Sequence, residues 1–341
     1  MNLTSPGARR FLNAALFSSI STATSAAAQP LSFIAIGDTP YSSGEAAAFS
    51  GPISQAIRAD APPFVIHYGD LKSGKSDCSD ALLRERRDAI LNLLPGRVFY
   101  TPGDNEWTDC DRRGIVHPLS ELNRLDLIRR LFYANAPQPP ADWAYARQDN
   151  FPENARWMVG DTMFATIHLV GTNNGRQQIL LDDPQLALAM VDARDQANRV
   201  WLDQTFEQAK KSNARALVVA TQADVTESKS TRACDREQRS DCDAFFTFRR
   251  QIRQLAMNFY PRDSFRKLPV LLLHGDTSPY CWDKKFGGAS APNLWRLNAW
   301  GDYQTPADAT KITIQTENQD QPFSARTLVG RQSPESNCST R

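Results

Sequence analysis

Five apolar runs along this chain end in the same kind of residue, an acid or an amide just past a glycine or a short polar spacer. Leu31–Ile36 runs into Gly37-Asp38, residues 64–68 into Gly69-Asp70, and Val98–Tyr100 into Thr101-Pro102-Gly103-Asp104-Asn105-Glu106. Ala216–Ala220 is followed by Thr221-Gln222-Ala223-Asp224, and residues 270–273 by His274-Gly275-Asp276. Any one Gly-Asp pair is ordinarily a turn glycine followed by an aspartate that caps the next helix. Five with the same habit point instead to a shared acidic site. Packed carboxylates are costly unless a divalent cation neutralises them, and the chemistry such a site could do is metal-assisted hydrolysis.

The elements that must position these residues follow from the pattern of apolar runs alternating with amphipathic stretches, which reads as α/β layering. The spacing from Asp38 to Asp70 and from Asp70 to Asp104 is close to one strand–helix–strand repeat of roughly 30 residues. The carboxyl ends of strands in an open parallel sheet share one edge, where ligands bind. The five loops are therefore expected to converge. The run over 163–170 joins the same core, and helices are expected over 45–59, 81–93, 119–133, 196–211 and 245–257. Residues 294–300 and 311–316 read as strands of an antiparallel end. Residues 225–243 form one long polar loop, and residues 318–341 a polar surface tail.

In order and spacing these segments resemble the calcineurin-like metallophosphoesterases. That family carries Asp-x-His, Gly-Asp, Gly-Asn-His-Glu, an isolated His and Gly-His-x-His at successive strand ends. Here the matching segments are GDTPY, YGDLKSG, PGDNEW, TQAD and HGDTS, spread from about residue 33 to 280. The resemblance implies a layered αββα sandwich over residues 29–317, with the site loops at the strand carboxyl ends. It also implies that Asp38 binds one metal and Asp70 bridges two. Asp104 stands in the place of the family's Asn ligand, and Asn105 in that of the His that assists the leaving group. Gln222 takes the place of the isolated His ligand. Asp276 and Ser278 occupy the two histidine places of the last motif, and Pro40 replaces the His of the first.

The departure is large, because such a site uses about five histidines and the whole chain has four. His67 and His168 lie inside apolar runs and read as core residues, and His117 lies in a loop beside Pro118. Only His274 falls at a matching loop, which makes it the candidate acid for the leaving group. Asp, Asn and Gln in place of imidazole make the ligand set oxygen-rich, favouring Mn²⁺, Mg²⁺ or Ca²⁺ over Zn²⁺. The expected reaction is hydrolysis of a phosphate mono- or diester, two close metals activating water and clamping the phosphoryl group. Arg112 and Arg113, and Arg232, Arg236 and Arg239 further on, could hold an anionic substrate. The rival reading is a non-catalytic binding protein that keeps the fold.

A competing motif lies within the second loop. Gly69-Asp-Leu-Lys-Ser-Gly74-Lys75-Ser76 fits the phosphate-binding pattern G-x-x-x-x-G-K-[ST] after a strand, the mark of a nucleotide triphosphatase. Against it, Asp70 would place a negative charge beside the phosphates.

The remaining features bear on compartment. Arg9-Arg10, an apolar stretch over 11–20 and the small residues up to Ala28 have the order of regions in a secretory leader over residues 1–28. Ten residues are too few to cross a bilayer, which takes roughly 20. The mature chain is thus expected to be periplasmic or secreted, without a membrane span. Six cysteines suit an oxidising compartment. Cys78 and Cys110 each follow a site loop. Cys234 and Cys242 could close a small loop, which would leave Cys281 with Cys338. The formal net charge is +1, and it becomes −1 once Arg9 and Arg10 leave with the leader. That balance gives no electrostatic support to nucleic-acid binding.

Overall fold

The strands alternate strictly between two apolar environments, which is why they sit in the middle of a layered fold. In β1 (Leu31–Ile36), Phe33 and Ala35 face one core while Ile34 and Ile36 face another. In β2 (Val65–His67), Ile66 and Val65 divide the same way. Both faces must be covered, so these strands read as continuous apolar runs. The computed structural model describes residues 1–3, 30–135, 137–228, 230–262, 264–318 and 320–338. Residues 4–28 of the expected leader lie outside the described residues.

Two sheets result. The first has β1 and β2 parallel to β3 (Val98–Tyr100). The second contains β4 (Ala146–Gln148), β5 (Phe151–Val159), β6 (Thr162–Thr166), β7 (Ala216–Ala220), β8 (Val270–His274), β9 (Cys281–Asp283) and β10 (Leu294–Asn298). Its order is β4-β5-β6-β7-β8-β10-β9, with β6, β7, β8 and β10 mutually parallel. β11 (Thr310–Ile314) and β12 (Phe323–Thr327) complete the first sheet, in the order β12-β11-β1-β2-β3.

Between the sheets lies an aromatic core. Phe99 stacks on Trp157 with centroids 3.7 Å apart, and Phe64 meets Phe99, Trp143, Trp157 and Phe164 edge-on. Truncating a ring such as Phe64 to alanine typically costs about 3–5 kcal/mol. The register of one sheet on the other is therefore firmly held.

Helices cover the outer faces. α1 (Ser43–Ala48), α2 (Ser54–Asp60), α3 (Asp80–Leu91) and α4 (Glu121–Ile128) lie over the first sheet, where Phe49, Ile57, Leu83, Ile90 and Ile128 enter its outer core. α5 (Gly171–Gly175) is a single turn. α6 (Pro184–Lys211) and α7 (Phe246–Met257) cover the second sheet through Trp201, Phe206, Phe248 and Ile252. The architecture is thus the αββα sandwich expected.

Four segments differ from expectation. The helix expected over 45–59 breaks at Gly51-Pro52, because Pro52 has no N–H to give. α6 begins twelve residues earlier than expected, at an Asp183 cap followed by Pro184. β10 pairs antiparallel with β9 on one side, but on the other it runs parallel to β8. The expected surface tail carries β12, whose Phe323 and Thr327 are buried while Ser324 and Arg326 face outward, as an edge strand allows.

Three disulfides join Cys78 to Cys110, Cys234 to Cys242 and Cys281 to Cys338. The last ties residues 335–338 beside β9, where Glu335 bridges to Cys281. Among the described residues no helix is long and apolar enough to cross a membrane.

Candidate metal centre

The Gly-Asp loops converge because their glycines let them touch. A Cβ on Gly103 would lie 1.9 Å from Asp70 Oδ1, and one on Gly275 would lie 1.8 Å from Asp38 Oδ2. The aspartates themselves carry the unusual backbone. Asp38, Asp70 and Asp276 have φ of 50°, 54° and 72°, a region that costs non-glycine residues roughly 1–3 kcal/mol and gathers at functional sites. Hydrogen bonds lock the loops together: Asp38 N–H donates to Gly69 O (3.1 Å) and Gly275 N–H to Gln222 O (3.0 Å).

Carboxylate oxygens of Asp70, Asp104 and Asp276 all lie within 4.8 Å of one another. Asp70 Oδ2 accepts from Asn105 Nδ2 (2.7 Å) and from the Tyr41 hydroxyl (3.0 Å), and its Oδ1 accepts from Asn105 N–H (3.2 Å). Asp104 accepts from Gln222 Nε2 at Oδ1 (3.1 Å) and from the Thr172 hydroxyl at Oδ2 (2.9 Å). Asp38 Oδ2 accepts from Asp276 N–H (3.0 Å), while its Oδ1 is buried without a partner. Asp276 Oδ2 accepts from Asp224 N–H (3.3 Å).

No lysine or arginine among the described residues forms an ion pair with Asp38, Asp70, Asp104 or Asp276. Burial raises the carboxyls of Asp38, Asp70 and Asp276 well above the usual range. Neighbouring acids add to it: Asp302 first at Asp38, Asp104 first at the other two. An all-oxygen set of mutually repelling, buried carboxylates fits a hard divalent cation, which the orphaned Oδ1 of Asp38 would also satisfy.

The structure brings Asp38, Asp70, Asp104, Asn105, Gln222 and Asp276 to one place. Their roles differ in detail from the sequence reading. Gln222 Oε1 accepts from Gly171 N–H (2.8 Å), so the side chain presents its NH₂ to Asp104. His274 is fully buried, with Nδ1 2.7 Å from Gly275 O and Nε2 3.4 Å from Arg296 Nη1. Burial lowers its pKa to about 4, leaving the ring neutral at neutral pH. His67 and His168 are buried in the core as expected, and His117 is exposed, paired with Asp77. The P-loop reading fails locally. Ser76 N–H donates to Ser73 O, Lys72 Nζ donates to the carbonyls of Ser73 and Ser76, and the next helix starts only at Asp80. The loop's polar groups are spent on itself, and no helix begins at Lys75-Ser76 to present its N-terminal N–H groups there.

Several residues of the site escaped the sequence reading. Tyr41 closes one side through Asp70. The α5 turn places Thr172, Asn173 and Asn174 all in the left-handed region, and the Thr172 hydroxyl bridges Asp104 and Asp109. Asp109, paired with Arg112 at 2.8 Å, is pushed up to about 7 by burial and then by Asp104. Arg112 Nη1 also lies beside Gly74 and the Asn105 carboxamide, at the rim of the centre. Glu106 braces the loops from behind, accepting from Asp70 N–H (3.1 Å), Gly103 N–H (2.8 Å) and the Tyr100 hydroxyl (2.6 Å). The sixth strand end, Gly301-Asp302 after β10, repeats the same Gly-Asp signal and reaches the site. An antiparallel reading of residues 294–300 gives this loop no place on the edge where the other site loops open.

No protein-family model matches the chain, and no curated protein matches it by sequence. Solved structures do. "Structure of PhoD" matches over 88% of this chain and 66% of its own, at 12% identity and a TM-score of 0.49. The purple acid phosphatase PPD1 of yellow lupin (Lupinus luteus) matches over 90% of this chain and 53% of its own, at 9% identity and TM-score 0.47. The NAD nucleotidase NadN of Haemophilus influenzae matches over 89% and 50%, at 10% identity and TM-score 0.43. The chain therefore spans about two thirds of the first and half of the others. It resembles the calcineurin-like metallophosphoesterases.

Proposed function

We propose that this protein hydrolyses a phosphate ester, mono- or diester, at a divalent-cation centre built from Asp38, Asp70, Asp104 and Asp276. The observation that carries the reading is the convergence of three carboxylates within 4.8 Å, with which no lysine or arginine among the described residues forms an ion pair. A bound divalent cation supplies an activated water and neutralises charge on the phosphoryl group. The chain's own residues do the rest. Asn105, whose carboxamide donates to Asp70 Oδ2 and to the Tyr41 hydroxyl, holds Asp70 in place, and Arg112 at the rim offers a guanidinium to the substrate's anionic end. Gln222 and Thr172 hold Asp104 in place. His274 is better suited to positioning the Gly275-Asp276 turn than to protonating a leaving group, since its ring is neutral and bonded to Gly275. That favours substrates with good leaving groups. All-oxygen donors favour Mn²⁺, Mg²⁺ or Ca²⁺. The three disulfides suit an exported protein.

Turnover of activated aryl phosphate mono- and diesters, measured in EDTA and with Mg²⁺, Mn²⁺, Ca²⁺ or Zn²⁺, tests the reading. Activity is expected with a hard divalent ion and should vanish in Asp70→Asn while the variant remains folded. A second reading, an exported binding protein that has kept the fold, draws on a ligand cluster, Asp70, Asp104 and Asp276, that contains no histidine. Absence of turnover by folded protein with every metal would select it.

A further inference from the structure

We infer that Tyr303, packed on Tyr41 at the mouth of the centre, is a stacking platform for the organic group of the substrate, which makes that substrate a phosphate ester of a planar aromatic group. The inference rests on the phosphate-ester reading and deepens it.

A short chain of contacts ties the platform to the centre. The Tyr41 hydroxyl donates to Asp70 Oδ2 (3.0 Å) and accepts from Asn105 Nδ2 (3.3 Å). The Tyr303 ring packs on the Tyr41 ring with centroids 5.0 Å apart. On the far side of Asn105 lies Arg112: a Cβ on Gly74 would meet Asn105 Oδ1 at 2.5 Å and Arg112 Nη1 at 2.7 Å. One wall of the mouth thus runs Tyr303, Tyr41, Asn105, Arg112, aromatic at one end and cationic at the other. An ester group that leaves a phosphoryl held at Asp70 along Tyr41 meets the Tyr303 ring.

Tyr303 is exposed and yet fixed. It is 65% exposed, and its plane is inclined at 58° to that of Tyr41, so the contact leaves ring surface open to a second partner. The loop that carries it is pinned on both sides. Before it, Trp300 O accepts from the Tyr68 hydroxyl (2.7 Å), Trp300 N–H donates to the Thr310 hydroxyl (2.9 Å), and Gly301 is pressed against Asp38. After it, Gln304 N–H donates to Gly301 O (3.0 Å) and Gln304 Oε1 accepts from Tyr280 N–H (3.2 Å). Asp302 and Tyr303 are both held at positive φ, 40° and 64°, a region that non-glycine residues seldom occupy and that gathers at functional sites. Folding gains little from an aromatic ring left in water on a strained loop. A ligand ring gains from it, because a ring already held in place loses little freedom when another stacks on it.

Calorimetric titration of the Mn²⁺-loaded protein with three non-hydrolysable phosphonates tests this without recourse to activity. Methylphosphonate reports on the centre alone, while phenylphosphonate and cyclohexylphosphonate differ in whether the ring offers a flat face. The wild type should bind phenylphosphonate at least about fivefold more tightly than cyclohexylphosphonate. Tyr303→Ala should abolish that preference, and Tyr303→Phe should keep it. Equal affinity for the two rings in the wild type, or a preference that survives in Tyr303→Ala, would overturn the inference, and Mn²⁺-dependent binding of methylphosphonate would then leave the phosphate-ester reading standing. If no phosphonate binds with Mn²⁺, or all three bind as well in EDTA, both readings fall.

Discussion

Two carboxylate clusters sit side by side on the same sheet edge and are handled in opposite ways. Asp224 accepts from Thr226 N–H (2.8 Å), the Thr226 hydroxyl (2.6 Å), Arg296 Nη1 (2.7 Å) and the Thr277 hydroxyl (3.0 Å). Asp70 has three donors against these four, and all three are neutral: two from Asn105 and one from Tyr41. Burial would raise Asp224, yet His274 once protonated in acid, the Arg296 guanidinium and the bonds from Thr226 outweigh it, and its carboxyl lies far below the usual range. Burial raises Asp70, and Asp104 raises it further. One hydrogen bond fewer does not account for shifts of opposite sign. A built-in cation separates them, and the cluster that lacks one is the cluster left for an ion from solution.

The largest test of that contrast is Arg296→Met. Removing one partner of a buried pair leaves an uncompensated charge and typically costs about 3–5 kcal/mol. Urea denaturation should show that loss both with Mn²⁺ and without it, because Asp224 belongs to the self-balanced cluster. Recovery on adding Mn²⁺ would merge the two clusters and break the comparison.

Acid titration sharpens the contrast, since the two regions respond with opposite sign. His274 has a folded pKa lowered from 6.5 to about 4 by burial. Between those values the unfolded chain takes up a proton that the folded chain refuses, so stability falls as pH drops from about 6.5 to 4, by on the order of 3 kcal/mol. The carboxyls of Asp38, Asp70 and Asp276 are raised, again chiefly by burial. In the metal-free protein they take up protons in the folded state first, so their contribution improves as pH falls from neutral. Metal-free Asp70→Asn should accordingly be more stable than the metal-free wild type at pH 7, the gap closing on acidification. A gap that stays constant or widens in the denaturation midpoints would show that the carboxylates are not repelling one another.

How much of this was legible in the sequence follows the same division. The five loops could be read because each strand is apolar on both faces and ends in a short, repeated signal. Asp38, Asp70 and Asp104 come from consecutive strand–helix units, and local pattern suffices for them. β10 hid its direction because Arg296 lies within it, and its partner Asp224 is 72 residues away. With the strand misjudged, Gly301-Asp302 lost its meaning. β5 was missed for a similar reason: its Glu153 is buried only because Arg129 pairs with it, and Asn154 because Gln148 and Asn198 bond it. β12 is half polar as an edge strand, so it resembled a tail. Paired polar residues inside strands defeat pattern reading because the partner that permits their burial is distant in sequence.

The smallest expected effect is also the one that separates chemistry from motif. Gly69–Ser76 has the letters of a phosphate-binding loop, and that reading makes Lys75 indispensable for nucleotide triphosphates. The fold gives the motif a different task. Cys78 is held to Cys110, Lys72 is buried with its ammonium on the carbonyls of Ser73 and Ser76, and α3 waits for its own cap at Ser79. Gly74 is needed because a side chain there would meet the Asn105 carboxamide at 2.5 Å and Arg112 Nη1 at 2.7 Å. Lys75, by contrast, is exposed. Lys75→Ala should leave both the melting temperature and the metal-dependent aryl phosphate turnover unchanged, and neither protein should bind ATP in a fluorescence or calorimetric titration. ATP binding that Lys75→Ala abolishes would restore the nucleotide reading and make the acidic cluster the structural bystander.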